Sequence, residues 1–336
     1  MDLKKSKQLI WILAGIYWVF AIGIFAIAFG QFNTMLQVAG IGINVIWIYW
    51  GIVVLAFAGL AIYTIVSWKK AINGKGSLLA SLCTVYSRYT FLLKQLVSRD
   101  FKNRYKRSVL GVAWSFLNPL LTMCVQYVVF STLFKSDTPN YPVYLLTGIL
   151  FFNYLNEAVA QGMISITGNA SLIKKVFVPK YLFPMSKALS SLINFLLSLL
   201  PLLLVMLLTG TNFRWSLLLL PFDLICMVVF VLGMVLLLST SMTFFQDTQF
   251  LWGVFSMIWM YLTPVFYPES IIPEAYIELY RLNPMYQFIT FARTCIIDGI
   301  SPEPMAYVKC ALSALVVFGL GAWVFKKHQD EFVLQL

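Results

Sequence analysis

Five cations fall within nine residues between Arg99 and Arg107: Arg99, Lys102, Arg104, Lys106 and Arg107, with Asp100 among them. A run of this kind binds anions, because Arg and Lys contacts to phosphate oxygens are charge-assisted and stronger than neutral ones. Its plainest ligand is an anionic membrane surface, worth about 1 kcal/mol per basic residue. Other reactive groups are sparse. Glu157 and Asp223 are carboxylates inside apolar runs, where an ionisable group is a functional candidate. Two isolated acids are a thin basis for ion coupling, and a bond to a neighbouring helix or water is the simpler account of each. Cys83, Cys124, Cys226, Cys295 and Cys310 include no C-x-x-C pair, and the single histidine, His328, lies near the tail. Neither a metal site, a disulfide framework nor a His-based triad is expected. Gly74-Lys75 is followed by Gly76 and lacks the upstream glycine of a phosphate loop. No G-x-S-x-G or H-E-x-x-H motif occurs either, so no catalytic residue is assigned.

The elements that must position these groups are helices in lipid. The 336 residues are 60% hydrophobic and 11% charged, with mean hydropathy +0.84, whereas a soluble domain carries about a quarter charged residues. The net charge of +11 sits beside apolar segments, which points to a membrane rather than nucleic acid. A spanning helix needs about 20 apolar residues. Leu9–Gly30 and Ile41–Val66 meet this and form a hairpin; the first is too long for a signal-peptide core. Asn73-Gly74-Lys75-Gly76-Ser77 marks a boundary, dividing residues 1–75 from 76–336. A surface helix follows over Tyr89–Arg107, with Phe101, Tyr105 and Val109 on one face, turning at Gly111 into the next span. Six further spans are expected: Val109–Phe134, kinked at Asn118-Pro119, then Val143–Ile166, Tyr181–Thr209, Trp215–Met242, Leu251–Phe266 and Met305–Phe325. Tyr267–Pro304 is too polar to span and reads as short helices that dip back into the bilayer.

Charge sets the orientation. With both termini cytoplasmic, 19 of the 24 Lys and Arg residues lie inside, leaving Lys135, Arg214, Arg281, Arg293 and Lys309 outside. Two further patterns stand out. The loop between the fourth and fifth spans holds a short helix, Ser171–Phe177, stopped by Pro179 and Pro184. Its Leu172, Ile173, Val176 and Phe177 form an apolar face, while Lys174 and Lys175 point away, as a docking knob requires. In the seventh span Trp252, Phe255, Trp259 and Phe266 follow helical spacing, with Tyr261 and Tyr267 near its end. Such rings stack on sugar faces without selecting one sugar; an interfacial belt or ordinary packing is the alternative.

Four segments in order, RDFKNRYKRSVLGVAWSFLNPLL, SLIKKVFVPKYLFPMS, TPVFYP and LNPMYQFITFART, make the chain from about Ser77 onward resemble the permeases of type-2 ABC polysaccharide exporters. These export O-antigen, capsule or teichoic acid chains in bacteria. The resemblance implies an all-α polytopic membrane protein. Its six-span permease core would have an amphipathic interfacial helix and outer re-entrant short helices, with the N-terminal two-span hairpin as an addition. It also implies a homodimer in the cytoplasmic membrane, paired with two copies of a separate ABC ATPase that carries ATP and Mg, so that no cofactor belongs to this chain. By position, Leu172, Ile173, Lys174, Lys175, Val176, Phe177 and Pro179 match the ATPase-coupling helix. Arg99, Lys102, Arg104 and Arg107 match the interfacial helix that would meet the diphosphate of a polyprenyl-linked glycan, and Trp252, Phe255, Trp259 and Tyr261 would line its path. Pro264–Pro268, Asn283-Pro284 and Arg293 match the outer end of the fifth family span and the outer short helices. Gln246-Asp247 stands where the family carries a basic–acidic pair. An ion-coupled secondary transporter or a membrane-embedded glycosyl- or acyltransferase are the competing classes.

Overall fold

The computed structural model describes residues 78–134, 140–175, 178–211 and 213–335. The N-terminal hairpin, the Asn73–Ser77 boundary and the expected knob residues Val176 and Phe177 lie outside the described residues. Two compact units divide at Leu93/Lys94, within the first helix. In the first unit only Leu78–Leu93 are described, and they are helical.

All regular structure among the described residues is helical. The helices are α1 (Leu78–Tyr105), α2 (Trp114–Phe134), α3 (Tyr141–Met163), α4 (Ala170–Lys175), α5 (Leu182–Leu208) and α6 (Leu220–Phe244), followed by α7 (Thr248–Tyr261), α8 (Glu274–Arg281), α9 (Pro284–Arg293), α10 (Pro304–His328) and α11 (Phe332–Gln335). Proline marks the starts. Pro142, Pro221, Pro284 and Pro304 occupy the first or second position of α3, α6, α9 and α10, where the missing N–H costs nothing and the fixed φ suits the helix. Asn283 also caps α9, its side-chain oxygen accepting from Met285 N at 3.0 Å.

Among the described residues, five segments are long and apolar enough to cross a membrane: Gly111–Ser131, Tyr141–Met163, Leu182–Leu208, Trp215–Phe244 and Pro304–His328. The protein is a multi-pass membrane protein. The expected seventh span is shorter than read: α7 has 14 residues, about 21 Å at 1.5 Å per residue, against a hydrocarbon core of about 30 Å. It stops because the chain turns through Thr263-Pro264, whose carbonyl is drawn to Arg293 at 2.6 Å.

α3 forms the centre of the second unit, packing on α2, α5, α6, α7 and α9. α6 and α10 make the closest pair. A Cβ on Gly233 would sit 2.6 Å from the Phe318 backbone, and one on Gly321 would strike the Gly233 carbonyl. Small residues that let two backbones meet are the usual means of helix association in lipid. One end of the bundle carries the basic segment of α1 together with α4 and α11; α8 and α9 close the opposite end.

The surface helix differs from expectation at its end. It stops at Tyr105, and Arg107 adopts a left-handed φ of 69°. Val109 therefore does not continue the Phe101–Tyr105 face and is fully exposed. Phe101 and Tyr105 do pair, edge to face at 5.3 Å. The expected turn at Gly111 is present, with φ 52°.

Candidate functional site

At the basic end, α1, α2, α3 and α5 enclose a cavity of about 730 Å³. Its lining is polar for a membrane interior. α3 contributes Asn153, Glu157 and Gln161, at i, i+4 and i+8; α5 contributes Ser191, Asn194 and Ser198, at i, i+3 and i+7; α2 contributes Ser115 and Asn118. These spacings place each set on one helical face. Arg104 and Tyr105 close the cavity from α1.

One network joins the four helices. Arg104 forms an ion pair with Glu157. Asn194 Nδ2 donates to Glu157 Oε2 at 2.9 Å. Asn194 Oδ1 accepts from Ser115 Oγ at 2.7 Å, and the Tyr105 hydroxyl lies within hydrogen-bonding distance of both Asn194 Oδ1 and Ser115 Oγ, donating to one of them at a time. Glu157 is thus an ion-paired, hydrogen-bonded carboxylate, the simpler of the two accounts its position allowed. Asp223 is different: it is fully buried in α6, and neither oxygen has a hydrogen-bond partner among the described residues.

The five cations of the basic run separate into two groups. Arg104 is neutralised by Glu157. Arg99 is held by Asp100 at 3.1 Å and reaches Asn169 Oδ1 at 3.4 Å. Lys102, Lys106 and Arg107 are exposed. Asp100 itself is buried and pairs with Lys187 of α5 at 3.1 Å, so the basic segment is pinned to the bundle through its one acid.

The remaining sequence-derived residues fall as follows. Lys174 and Lys175 are exposed on α4, Leu172 and Pro179 are half-buried, and Ile173 turns inward and is buried. Trp252, Phe255 and Trp259 do share a cluster, with ring centroids 5.4–6.4 Å apart. Trp252 lies within the packing, Phe255 and Tyr261 are exposed, and Trp259 Nε1 donates to Asn283 Oδ1 at 2.8 Å. Phe266 is buried and stacks on Phe130 at 5.4 Å. No group of three or more His, Cys, Asp or Glu side chains could hold a metal among the described residues.

The opposite end is held by a buried cation. Arg293, at the end of α9, donates to the carbonyls of Tyr144, Pro264 and Val265 and lies 3.3 Å from the Tyr144 ring centroid. Burial lowers its pKa to about 10, so it stays cationic at neutral pH. This fixes α9 to the start of α3 and to the turn after α7.

The sequence reading missed Ser115, Asn153 and Asn194, and placed Tyr105 only on the apolar face of the surface helix. The signal was available as polar residues repeating at helical spacing inside apolar spans.

Comparison with known proteins fits this architecture. A profile of the family described as ABC-2 type transporter matches residues 91–297, more than half of the chain. An O-antigen export system permease protein RfbA of Myxococcus xanthus is 30% identical over 248 residues, 73% of this chain and 95% of that protein. A protein of the same name from Klebsiella pneumoniae is 30% identical over 247 residues, 72% of this chain and 93% of its own length. Five candidate spans, a basic helix folded onto a polar cavity and these matches agree: the chain belongs to the ABC-2 type transporter family.

Proposed function

We propose that this chain is the membrane-spanning subunit of an ATP-driven exporter that moves a polyprenyl-diphosphate-linked polysaccharide across the bacterial cytoplasmic membrane. The glycan would be an O-antigen, capsule, teichoic acid or related wall polymer. The observation that supports this most directly is the exposed group Lys102, Lys106 and Arg107 on the same helix end as a large polar cavity. Anion-binding and hydroxyl-binding surfaces stand side by side, as a lipid-linked glycan presents a diphosphate and a sugar. The names borne by the relatives point the same way. Two copies of the chain would assemble with two copies of a separate ATPase carrying ATP and Mg. The ATPase would dock on the loop around α4 at a cytoplasmic basic end, with both termini on that side. The ion-coupled alternative is weakened because Glu157 is held by Arg104 and Asn194.

The test is genetic and biochemical. Deleting the gene should leave a lipid-linked glycan on the cytoplasmic face, and restoring export should require both this chain and its ATPase. Phe177→Asp, in the expected knob, should abolish co-purification of that ATPase. Normal glycan export in the deletion strain would refute the reading.

A further inference from the structure

We propose that the cavity between α1, α2, α3 and α5 is a binding site for the sugar residues next to the diphosphate, and that it excludes the diphosphate itself. This rests on the glycan-export reading above and refines it. An anion needs free positive charge, and the only cation lining the cavity, Arg104, is already paired with Glu157. With that pair neutral, the cavity offers amides, hydroxyls and rings and no net charge. Asn118, Asn153, Asn156, Gln161 and Asn194 supply both donors and acceptors.

Unused hydrogen-bonding capacity marks the same place. Arg104 Nη2, Tyr154 Oη, Asn156 Oδ1 and Ser191 Oγ are buried and have no hydrogen-bond partner among the described residues, and all four belong to cavity-lining side chains. These four atoms are closed off from the cavity as it stands, whereas the exposed amides of Asn118 and Asn153 open onto it, a lining that suits an occupant carrying hydroxyls. The rings of Tyr105, Trp114, Tyr154 and Phe195 add flat apolar surface to the lining. At about 730 Å³ the cavity is within the range of about 300–1,000 Å³ usual for small-molecule sites. Trp114, Asn118 and Asn153 are exposed and set its mouth between α2 and α3. Free cations for the diphosphate lie outside it, at Lys102, Lys106 and Arg107 on the end of the same basic segment.

The experiment uses the full chain with its ATPase in nanodiscs and reads ATPase stimulation by two probes. One is farnesyl diphosphate; the other is farnesyl diphosphate carrying a trisaccharide of the exported polymer. The double variant Asn118→Leu/Asn153→Leu changes two exposed mouth residues and leaves the Arg104–Glu157–Asn194 network in place. It should raise the half-saturating concentration of the glycosylated probe by about tenfold, as expected for two lost hydrogen bonds, and leave that of farnesyl diphosphate unchanged. Lys102→Gln/Arg107→Gln should weaken both probes. An Asn118→Leu/Asn153→Leu complex that responds to both probes as the parent does, or loses both equally, overturns the cavity assignment. A parent complex that responds to neither probe overturns the glycan-export reading instead.

Discussion

Replacing Arg293 with glutamine should loosen the end of the bundle that α9 closes. Arg293 makes four hydrogen bonds to three carbonyls: Nε and Nη2 to Tyr144 at 3.3 and 3.1 Å, Nη1 to Pro264 at 2.6 Å, and Nη2 to Val265 at 3.0 Å. Glutamine has one amide nitrogen and a shorter reach, so about two of these carbonyls lose their donor. Each orphaned acceptor costs about 1–3 kcal/mol, and losing a desolvated cation–π contact costs about 2 kcal/mol. Against this, removing a buried cation recovers several kcal/mol of desolvation, and hydrogen bonds within membranes average nearer 0.6 kcal/mol. The balance is a destabilisation of about 2–4 kcal/mol, or roughly 4–16 °C at about 2–4 °C per kcal/mol. Thermal unfolding of the purified full-length protein in detergent measures it. Arg293→Lys keeps the charge but not the planar fork that both stacks on Tyr144 and reaches several carbonyls, so it should fall between parent and glutamine variant. Gly148→Ala offers an independent check, since the added Cβ would lie 2.8 Å from Arg293 Nη2 and push the guanidinium off its carbonyls. Unchanged melting in Arg293→Gln, or full rescue by lysine, would refute the clamp.

Three other outcomes follow from the packing. Gly233→Val should separate α6 from α10, because its side chain would meet the Phe318 backbone, and the purified variant should lose its monodisperse profile on size exclusion. Trp252→Leu should lower melting because Trp252 is buried, whereas Phe255→Leu, at an exposed ring, should leave melting unchanged and slow glycan export if that ring meets the polymer. For topology, Lys106→Cys and Glu303→Cys place thiols at exposed positions on opposite ends. In a cysteine-free background an impermeant reagent on intact cells should label the second and spare the first. The native Cys295 and Cys310 are buried and would report poorly.

The spans were legible because length and hydropathy decide them: the five crossing helices coincide with expected spans to within a few residues. The basic run was legible as charge but not as geometry. Nothing in RDFKNRYKR tells that Asp100 turns inward to Lys187, or that Arg104 meets Glu157 more than 50 positions away. Long-range pairing is set by packing, and a helical repeat says which residues share a face without saying what faces them. The polar stripes of α3 and α5 illustrate this: each is visible in the sequence, but only their convergence makes a cavity. The α4 segment was legible as a short helix, but not in what its face meets. Leu172 and Ile173 lie on the helix, and Ile173 is buried within the chain's own fold. The shortness of α7 was hidden because hydropathy stays high to Phe266 while the backbone has already turned to meet Arg293.

Two chains of contacts run from the α4 loop into the bundle. One route leads away from it: Lys180 donates to the Gln329 carbonyl and lies 6.0 Å from the Phe332 ring centroid, and Phe332 is buried against Phe244 and Phe325. That route ties the loop to α6 and α10. The other leads through Asn169 to Arg99, then Asp100, then Lys187 on α5 and, along α1, to Arg104 and Glu157. Its first contact is exposed and long, 3.4 Å, and exposed polar contacts of this kind hold weakly. Asp100 is 7% exposed and shared by two cations and Ser186, and losing both cations would leave a buried charge uncompensated, which costs several kcal/mol. The second route therefore yields at Asn169 before it yields at Asp100. The tie from α4 to the basic segment is thus weaker than the Asp100 cluster that joins this segment to α5 beside the Arg104 wall of the cavity.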